Sequence, residues 1–169
     1  MKPVLLSLGP VHVYSFGVLV ALGVLISLYG MVRDARESGI LSRDAVYDLL
    51  FVTLLAGFAG GRLFYIVQNL EWYSRHPLDV FALWEGGLIF YGGLMGGLIG
   101  LAVFCRWKRV PYIAALDFMA PYLALSHAFG RVGCFLNGCC VGSACELPWA
   151  VHFPGDLISR HPAQLYEAF

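Results

Sequence analysis

Residues 13–32 read VYSFGVLVALGVLISLYGMV, a run of twenty amino acids without a charged side chain. A helix of this length rises about 30 Å, which matches the hydrocarbon core of a bilayer. The run is too long for the apolar part of a signal peptide, and only Lys2 stands before it as a charged leader. We therefore predict a retained transmembrane helix.

Three more apolar runs follow, and together the four runs decide the fold class. Only 13% of the residues are charged and 59% are apolar, whereas about a quarter of the residues in soluble domains are charged. We predict an all-α polytopic membrane protein with at least four transmembrane helices in a single integral membrane domain. The predicted helices are about 12–32, 49–70, 87–105 and 111–130, followed by an irregular extracytoplasmic segment at 131–161 and the start of a further helix at 162–169.

The basic residues of the links predict the orientation. The links after the first and third helices hold three basic residues each, whereas the 71–85 link holds only Arg75 and the N-terminus only Lys2. The positive-inside rule then places the first and third links in the cytoplasm. The N-terminus and everything after the fourth helix are predicted to be extracytoplasmic. The net charge is zero and the basic residues are scattered, so we expect no nucleic-acid partner.

The stretch from Gly130 to Gly142 reads GRVGCFLNGCCVG and follows the fourth apolar run. An arginine at the end of an apolar segment is costly in lipid without a partner, so Arg131 is a functional candidate. Glycines let the backbone come close to a bound group. We predict a site for an anionic lipid head group here.

Two interpretations remain open for each of two residues in the earlier helices. Arg62 follows Gly60 and Gly61, and it either extends to the interface or binds a phosphate inside the bundle. Tyr91 precedes a helix face on which glycines recur every four residues, a pattern typical of close helix packing. Its hydroxyl either anchors the helix at the interface or reaches a ligand.

Four cysteines lie within twelve residues, at Cys134, Cys139, Cys140 and Cys145. A disulfide is permitted outside the cytoplasm and is the leading interpretation. A metal site is the weaker one, because the spacing lacks the paired C-x2-C of common zinc sites and adjacent cysteines rarely both bind one ion. We therefore predict no metal and no cofactor. A nucleophilic thiol would need a base, for which His127 and His161 are candidates.

The motifs are similar to those of the bacterial prolipoprotein diacylglyceryl transferases. The sequence GRVGCFLNG at 130–138 resembles the family signature G-R-x-G-N-F-x-N-G. Three further motifs stand in the family's order: GGR at 60–62, FYGGL at 90–94 and RHPAQLYE at 160–167. The resemblance implies a multi-pass enzyme of the bacterial plasma (inner) membrane that moves diacylglyceryl from phosphatidylglycerol to the lipobox cysteine of a prolipoprotein signal peptide. The products would be a thioether and glycerol phosphate, and the partners would be the lipid, the prolipoprotein and the bilayer.

The resemblance also implies roles for individual residues. Arg131 would hold the lipid phosphate through bidentate bonds and stabilise the charge that develops on the leaving group. Arg62 would be a second head-group contact. The remaining predicted substrate-binding residues are Asn137 and Gly142, which would shape the pocket, and Gln164, Tyr166 and Glu167, which would support it from the next helix.

The chain departs from the family pattern at several positions. Tyr91 stands where the family usually has the histidine proposed as base for the acceptor thiol, so Tyr91 is the second catalytic candidate beside Arg131. Tyrosine is a weaker candidate than histidine, because it keeps its proton at neutral pH. Cys134, Cys139 and Phe16 replace the family's asparagine, acidic residue and tyrosine. The family's arginine and glutamate on a later helix would lie beyond Phe169, so we expect a fragment.

Other functions remain open on the sequence alone. One alternative is an enzyme of the same fold that uses another lipid donor or acceptor. The protein is otherwise a thiol-redox or metal-binding membrane protein that uses the cysteines, or a catalytically silent scaffold. The arginine pair favours the two lipid enzymes, because the other roles do not need cations inside the membrane.

Overall fold

The computed structural model describes residues 3–8, 11–82 and 86–169. Its helices are α1 (Ser15–Ser38), α2 (Arg43–Gln68), α3 (Leu70–Arg75), α4 (Phe90–Lys108), α5 (Tyr112–Asn137) and α6 (Ala163–Ala168), with a 3₁₀ helix at Pro77–Phe81. Two short antiparallel pairs join strands β1 (Val4–Leu8) with β2 (Val11–Tyr14) and β3 (Val151–His152) with β4 (Ser159–Arg160). Lys2 and the last residues of the predicted 71–85 link lie outside the described residues.

Four helices of the described part, α1, α2, α4 and α5, are long and apolar enough to cross a membrane. Helices suit this environment because every backbone N–H and C=O inside them finds a partner within the segment. The prediction of a mainly α-helical polytopic protein with at least four such helices is confirmed.

The helix boundaries differ from the predicted ones at two places that matter. The hairpin of β1 and β2 occupies the residues before Ser15, so α1 begins later than residue 12. Helix α5 continues to Asn137 instead of ending at Gly130. From the start of α5 onward, the first residue of positive φ is Gly138, where φ is 74°. Arg131 therefore lies on a helix and not in an irregular segment.

The chain packs into two compact units. The central unit is Val32–Phe118, and the terminal unit combines Met1–Met31 with Met119–Phe169. Helices α1 and α5 each contribute one part to both units. The single membrane domain predicted from the sequence stays a prediction.

In the central unit, α2 and α4 pack through glycines that leave no room for side chains. A Cβ atom on Gly60 would lie 2.8 Å from the Cα of Gly96, and one on Gly92 would lie 2.6 Å from the carbonyl oxygen of Gly60. Real Cβ atoms do not approach other atoms so closely. The close packing predicted from the four-residue glycine spacing is confirmed. Near the other end of the pair, Lys108 Nζ lies 2.6 Å from Asp48 Oδ2.

In the terminal unit, α1 packs on α5 and the segment after α5 folds back. Ser27 Oγ lies 2.8 Å from Ser126 Oγ and donates to the Tyr122 carbonyl at 3.0 Å. After α5, the amide of Gly142 donates to the His161 carbonyl at 3.1 Å, and the amide of His161 donates to the Ser143 carbonyl at 3.0 Å. These bonds and the β3–β4 pair return the chain to the end of α5, where α6 begins.

Candidate functional site

Arg131 pairs with an acidic side chain of α6 and is largely buried. Its Nη2 lies 2.7 Å from Glu167 Oε1 in α6, and its side chain is 16% exposed. Its Nε is buried and has no hydrogen-bond partner among the described residues. Buried donors are nearly always satisfied, so this N–H is a candidate for contact with a ligand. The side chain thus combines a fixed orientation with an available donor.

Gln164 is fully buried and supplies the complementary group. Its Nε2 donates to the Cys139 carbonyl at 2.5 Å, which fastens α6 to the turn after α5. Its Oε1 is buried without a partner among the described residues. Among its described residues, the terminal unit therefore holds one unsatisfied buried side-chain donor and one unsatisfied buried side-chain acceptor.

An ion pair that the sequence did not predict stabilises the segment that folds back after α5. Arg160 Nε and Nη2 donate to the two carboxylate oxygens of Asp156 at 2.6 and 3.2 Å, and its Nη1 donates to the Gly142 carbonyl at 3.3 Å. The hydrogen bond from Arg160 lowers the pKa of Asp156. Gly142 lies against residue 161, since a Cβ there would be 2.8 Å from the His161 carbonyl oxygen. The four-residue spacing of Asp156 and Arg160 did not predict this pair, because that spacing brings side chains together only on a helix, and these residues lie between β3 and β4 and on β4.

Tyr166 and Asn137 are two exposed members of the predicted set. The Tyr166 hydroxyl accepts from Trp149 Nε1 at 2.8 Å and lies 3.1 Å from His161 Nδ1. Asn137 ends α5 with an exposed side chain. No pattern in the sequence pointed to Trp149, because its contact joins a residue outside the helices and strands to a residue of α6.

Arg62, in the central unit, has all its donors in use. It is 6% exposed, and its five N–H groups make five hydrogen bonds of 2.6–3.3 Å. A guanidinium has only five donors. The acceptors are the backbone carbonyl oxygens of Asp79, Val80, Ala82, Gly86 and Gly87. Arg62 therefore organises the link between α3 and α4, and a phosphate could bind it only by displacing a carbonyl. Its predicted head-group role stays a prediction.

Tyr91 is the second residue of α4 and is 71% exposed. Its ring meets that of Phe90 edge-on, with 5.7 Å between the centroids. The side chain is thus accessible at the start of the glycine-rich helix. Its predicted catalytic role stays a prediction.

Three of the four clustered cysteines come together. The Sγ atoms of Cys134, Cys139 and Cys140 all lie within 4.8 Å of one another. Cys145 is buried apart from them, and its Sγ accepts from the Leu147 amide at 3.4 Å. The structure records these cysteines as free thiols. We call the first three the thiol cluster.

Comparison with known proteins relates almost the whole chain to one family. A family model described as prolipoprotein diacylglyceryl transferase matches residues 3–169. The phosphatidylglycerol–prolipoprotein diacylglyceryl transferase of Bordetella avium is 39% identical over 170 residues, which cover 98% of this chain and 64% of that protein. The proteins of the same name from Geobacter sulfurreducens and Lactobacillus delbrueckii subsp. bulgaricus are 37% and 33% identical, covering 99% and 100% of this chain and 66% and 64% of theirs.

The chain thus spans slightly less than two thirds of the length of these relatives. The match extends through all four motifs, from the glycines before Arg62 to the segment that carries Gln164 and Glu167. On these grounds the chain belongs to the prolipoprotein diacylglyceryl transferase family.

Proposed function

We propose that the protein transfers the diacylglyceryl group of phosphatidylglycerol to the thiol of a lipobox cysteine in a prolipoprotein. The observation that carries this proposal is Arg131, a largely buried guanidinium that Glu167 holds in place and whose Nε lacks a partner among the described residues. The names of the relatives state the same lipid and the same class of acceptor for those proteins.

The reaction requires stabilisation of a leaving phosphate. The cysteine sulfur forms a bond to the terminal glycerol carbon of the diacylglyceryl group, and the bond from that carbon to the phosphate oxygen breaks. The thiol proton passes to water, and glycerol phosphate leaves with the electron pair of the broken bond. Negative charge therefore grows on the phosphate oxygens, where a fixed guanidinium is most effective. In our proposal Arg131 provides this charge.

The two unsatisfied groups fit a head group that carries a hydrogen-bond donor beside its phosphate, as that of phosphatidylglycerol does. Its phosphate oxygens are acceptors for Arg131 Nε, and its free glycerol hydroxyls are donors for Gln164 Oε1. A lipid with a bare phosphate would satisfy only the first of these groups. This pairing supports a head group that has both a phosphate and a donor.

The proposal also includes the orientation of the protein in the membrane and roles for the other predicted site residues. The basic residues of the links favour an inner-membrane protein whose Arg131 faces the extracytoplasmic side, where a secreted preprotein presents its cysteine. Asn137 and Gly142 would border the lipid, and Tyr166 would support it from α6. Tyr91, whose side chain is exposed, would contact the acceptor thiol, and Arg62 would act through the link that it organises.

The test uses the protein expressed from its complete gene, in membranes depleted of the host transferase. Phosphatidylglycerol labelled in its acyl chains and a preprotein with a lipobox are supplied, and label on the preprotein is measured. We expect label that depends on Arg131 and on the lipobox cysteine. Absence of label from a well-folded protein, or label transferred by Arg131→Ala at the rate of the parent protein, would refute the transferase proposal.

A further inference from the structure

We propose that the thiol cluster of Cys134, Cys139 and Cys140 binds one zinc ion. The proposal does not depend on the transferase activity, because it rests on the three sulfur atoms and the backbone that presents them. Thiolate sulfur is a preferred ligand of Zn²⁺.

The sulfur atoms already lie near the separation that a bound ion requires. A tetrahedral zinc site with Zn–S bonds of about 2.3 Å has sulfur atoms about 3.8 Å apart. The Sγ atoms of Cys139 and Cys140 are 3.7 Å apart, and all three Sγ atoms lie within 4.8 Å. Closing the set around an ion needs side-chain movements of no more than about 1 Å, and solvent would supply the fourth ligand.

The backbone explains how two adjacent cysteines serve one site. Cys140 has φ of 60°, a left-handed conformation that residues with a side chain rarely adopt. Such outliers persist where the surrounding structure enforces them, and they are frequent at ligand sites. In an extended chain, neighbouring side chains point to opposite faces. The turn after Gly138 instead brings the Cys139 and Cys140 sulfurs together, which removes the objection raised by their adjacency.

The cluster is also attached firmly at Cys139. Its amide donates to the Cys134 carbonyl at 3.2 Å, and its own carbonyl accepts from Gln164 at 2.5 Å. Binding would convert three thiols to thiolates and release three protons. The resulting group of one Zn²⁺ and three thiolates carries one negative charge, and Arg131 lies one helical turn before Cys134. The ion would therefore stabilise the end of α5 and the attachment of α6.

The experiment measures metal binding by the purified protein, expressed from its complete gene and kept under anaerobic conditions with a non-thiol reductant. Cd²⁺ is added to detect the ultraviolet band of thiolate coordination, and the affinity for Zn²⁺ is measured by competition with a chromophoric chelator. We expect one ion per chain and a higher Tm with Zn²⁺. Replacing any one of the three cysteines by serine should weaken Zn²⁺ binding more than about 100-fold, beyond the 10–100-fold that loss of a supporting residue costs.

Two variants separate the site from folding effects. Cys145→Ser, which removes a buried cysteine outside the cluster, should bind Zn²⁺ like the parent protein. Cys140→Gly relieves the left-handed backbone, so it should be at least as stable as the parent protein without metal and yet gain no Tm from Zn²⁺. Unchanged affinity in the triple Cys134→Ser, Cys139→Ser, Cys140→Ser variant would overturn the proposal. A lack of binding by the reduced parent protein, or a disulfide within the cluster in protein isolated with blocked thiols, would overturn it as well.

Discussion

Arg131 Nη2 and Glu167 Oε1 are 2.7 Å apart and join α5 to α6. The arginine is the more buried partner, and about half of the glutamate side chain is exposed. Glu167 thus fixes the guanidinium from its solvent side and leaves the buried Nε for another acceptor. A charge fixed before the substrate arrives does not have to be reoriented during the reaction.

Replacing Arg131 by alanine should reduce kcat/KM for diacylglyceryl transfer by about 10²–10³-fold, the usual effect of removing one fixed donor that stabilises developing charge. Arg131→Lys should restore little of the lost activity, because an ammonium group cannot reproduce the planar donor geometry of the guanidinium. The measurement is the rate of label transfer to a lipobox preprotein. Arg33→Ala serves as the control, since Arg33 is exposed and pairs only with exposed Glu37 among the described contacts. Equal losses in the two alanine variants would contradict the role of Arg131.

Replacing Arg62 by alanine should lower the free energy of unfolding by at least about 3 kcal/mol, because several buried carbonyls lose a charged donor. Thermal unfolding of the detergent-solubilised protein and proteolysis within residues 76–89 would measure this effect. Arg62→Lys should recover part of the stability, since its ammonium group has three donors. If Arg62 mainly bound the lipid head group, its loss would affect lipid binding and not stability. A variant of unchanged stability whose KM for the lipid rises would show that the five carbonyl bonds are not the main role of Arg62.

Adjacent glycines of α4 should differ sharply in their tolerance of alanine. Gly96→Ala should destabilise the protein by about 1–3 kcal/mol, because its Cβ would overlap the backbone of α2. Gly97→Ala should be neutral or stabilising by up to about 1 kcal/mol, since the nearest atom would be 3.9 Å away and alanine favours helix. The comparison requires only the Tm of each variant. Similar values for both would exclude the packing described for α2 and α4.

The stabilisation that Asp156 provides should depend on pH. The hydrogen bond from Arg160 lowers its pKa in the folded protein, so the ionised carboxylate stabilises the fold. This contribution is complete above the unfolded pKa of about 3.9 and disappears as the pH falls through the lower folded value. Asp156→Asn should therefore have a lower Tm than the parent protein at pH 7, and the difference should shrink below about pH 4. Glu146→Gln, at an exposed position of the same segment, is the control. A difference that stays constant down to pH 2 would contradict the ion pair.

The sequence predicted what depends on length and apolar character, and it missed what depends on single contacts. Four spans followed from apolar runs of about twenty residues, two of them uncharged and two with a single charged residue, Arg62 or Asp117. The end of α5 did not, because Gly130 and Gly133 suggested irregular backbone. A helix tolerates such glycines at a cost of about 1 kcal/mol each. At Gly133 the absence of a side chain allows close packing, since a Cβ there would lie 3.2 Å from the Cα of Phe16.

For the candidate site, the sequence likewise identified some of the residues but not the contacts that they make. The motifs identified Arg131, Gln164 and Glu167, which the structure brings to the end of α5 and to α6. The partners of Arg62 could not be predicted, because they are backbone carbonyls whose positions depend on the path of the link and not on residue type. The convergence of three sulfur atoms likewise depends on one left-handed residue, Cys140, which no spacing rule would have indicated.

Because all five N–H groups of Arg62 bond to backbone carbonyls, its position has a consequence for how the protein is made. During synthesis α2 emerges before the carbonyls of Gly86 and Gly87 exist, so its arginine must first be hydrated by water or lipid head groups. Dehydrating it without acceptors would be costly in the bilayer. The charge becomes compatible with the apolar phase only when the link has closed around it. We therefore expect α2 to reach its final depth only together with the start of α4.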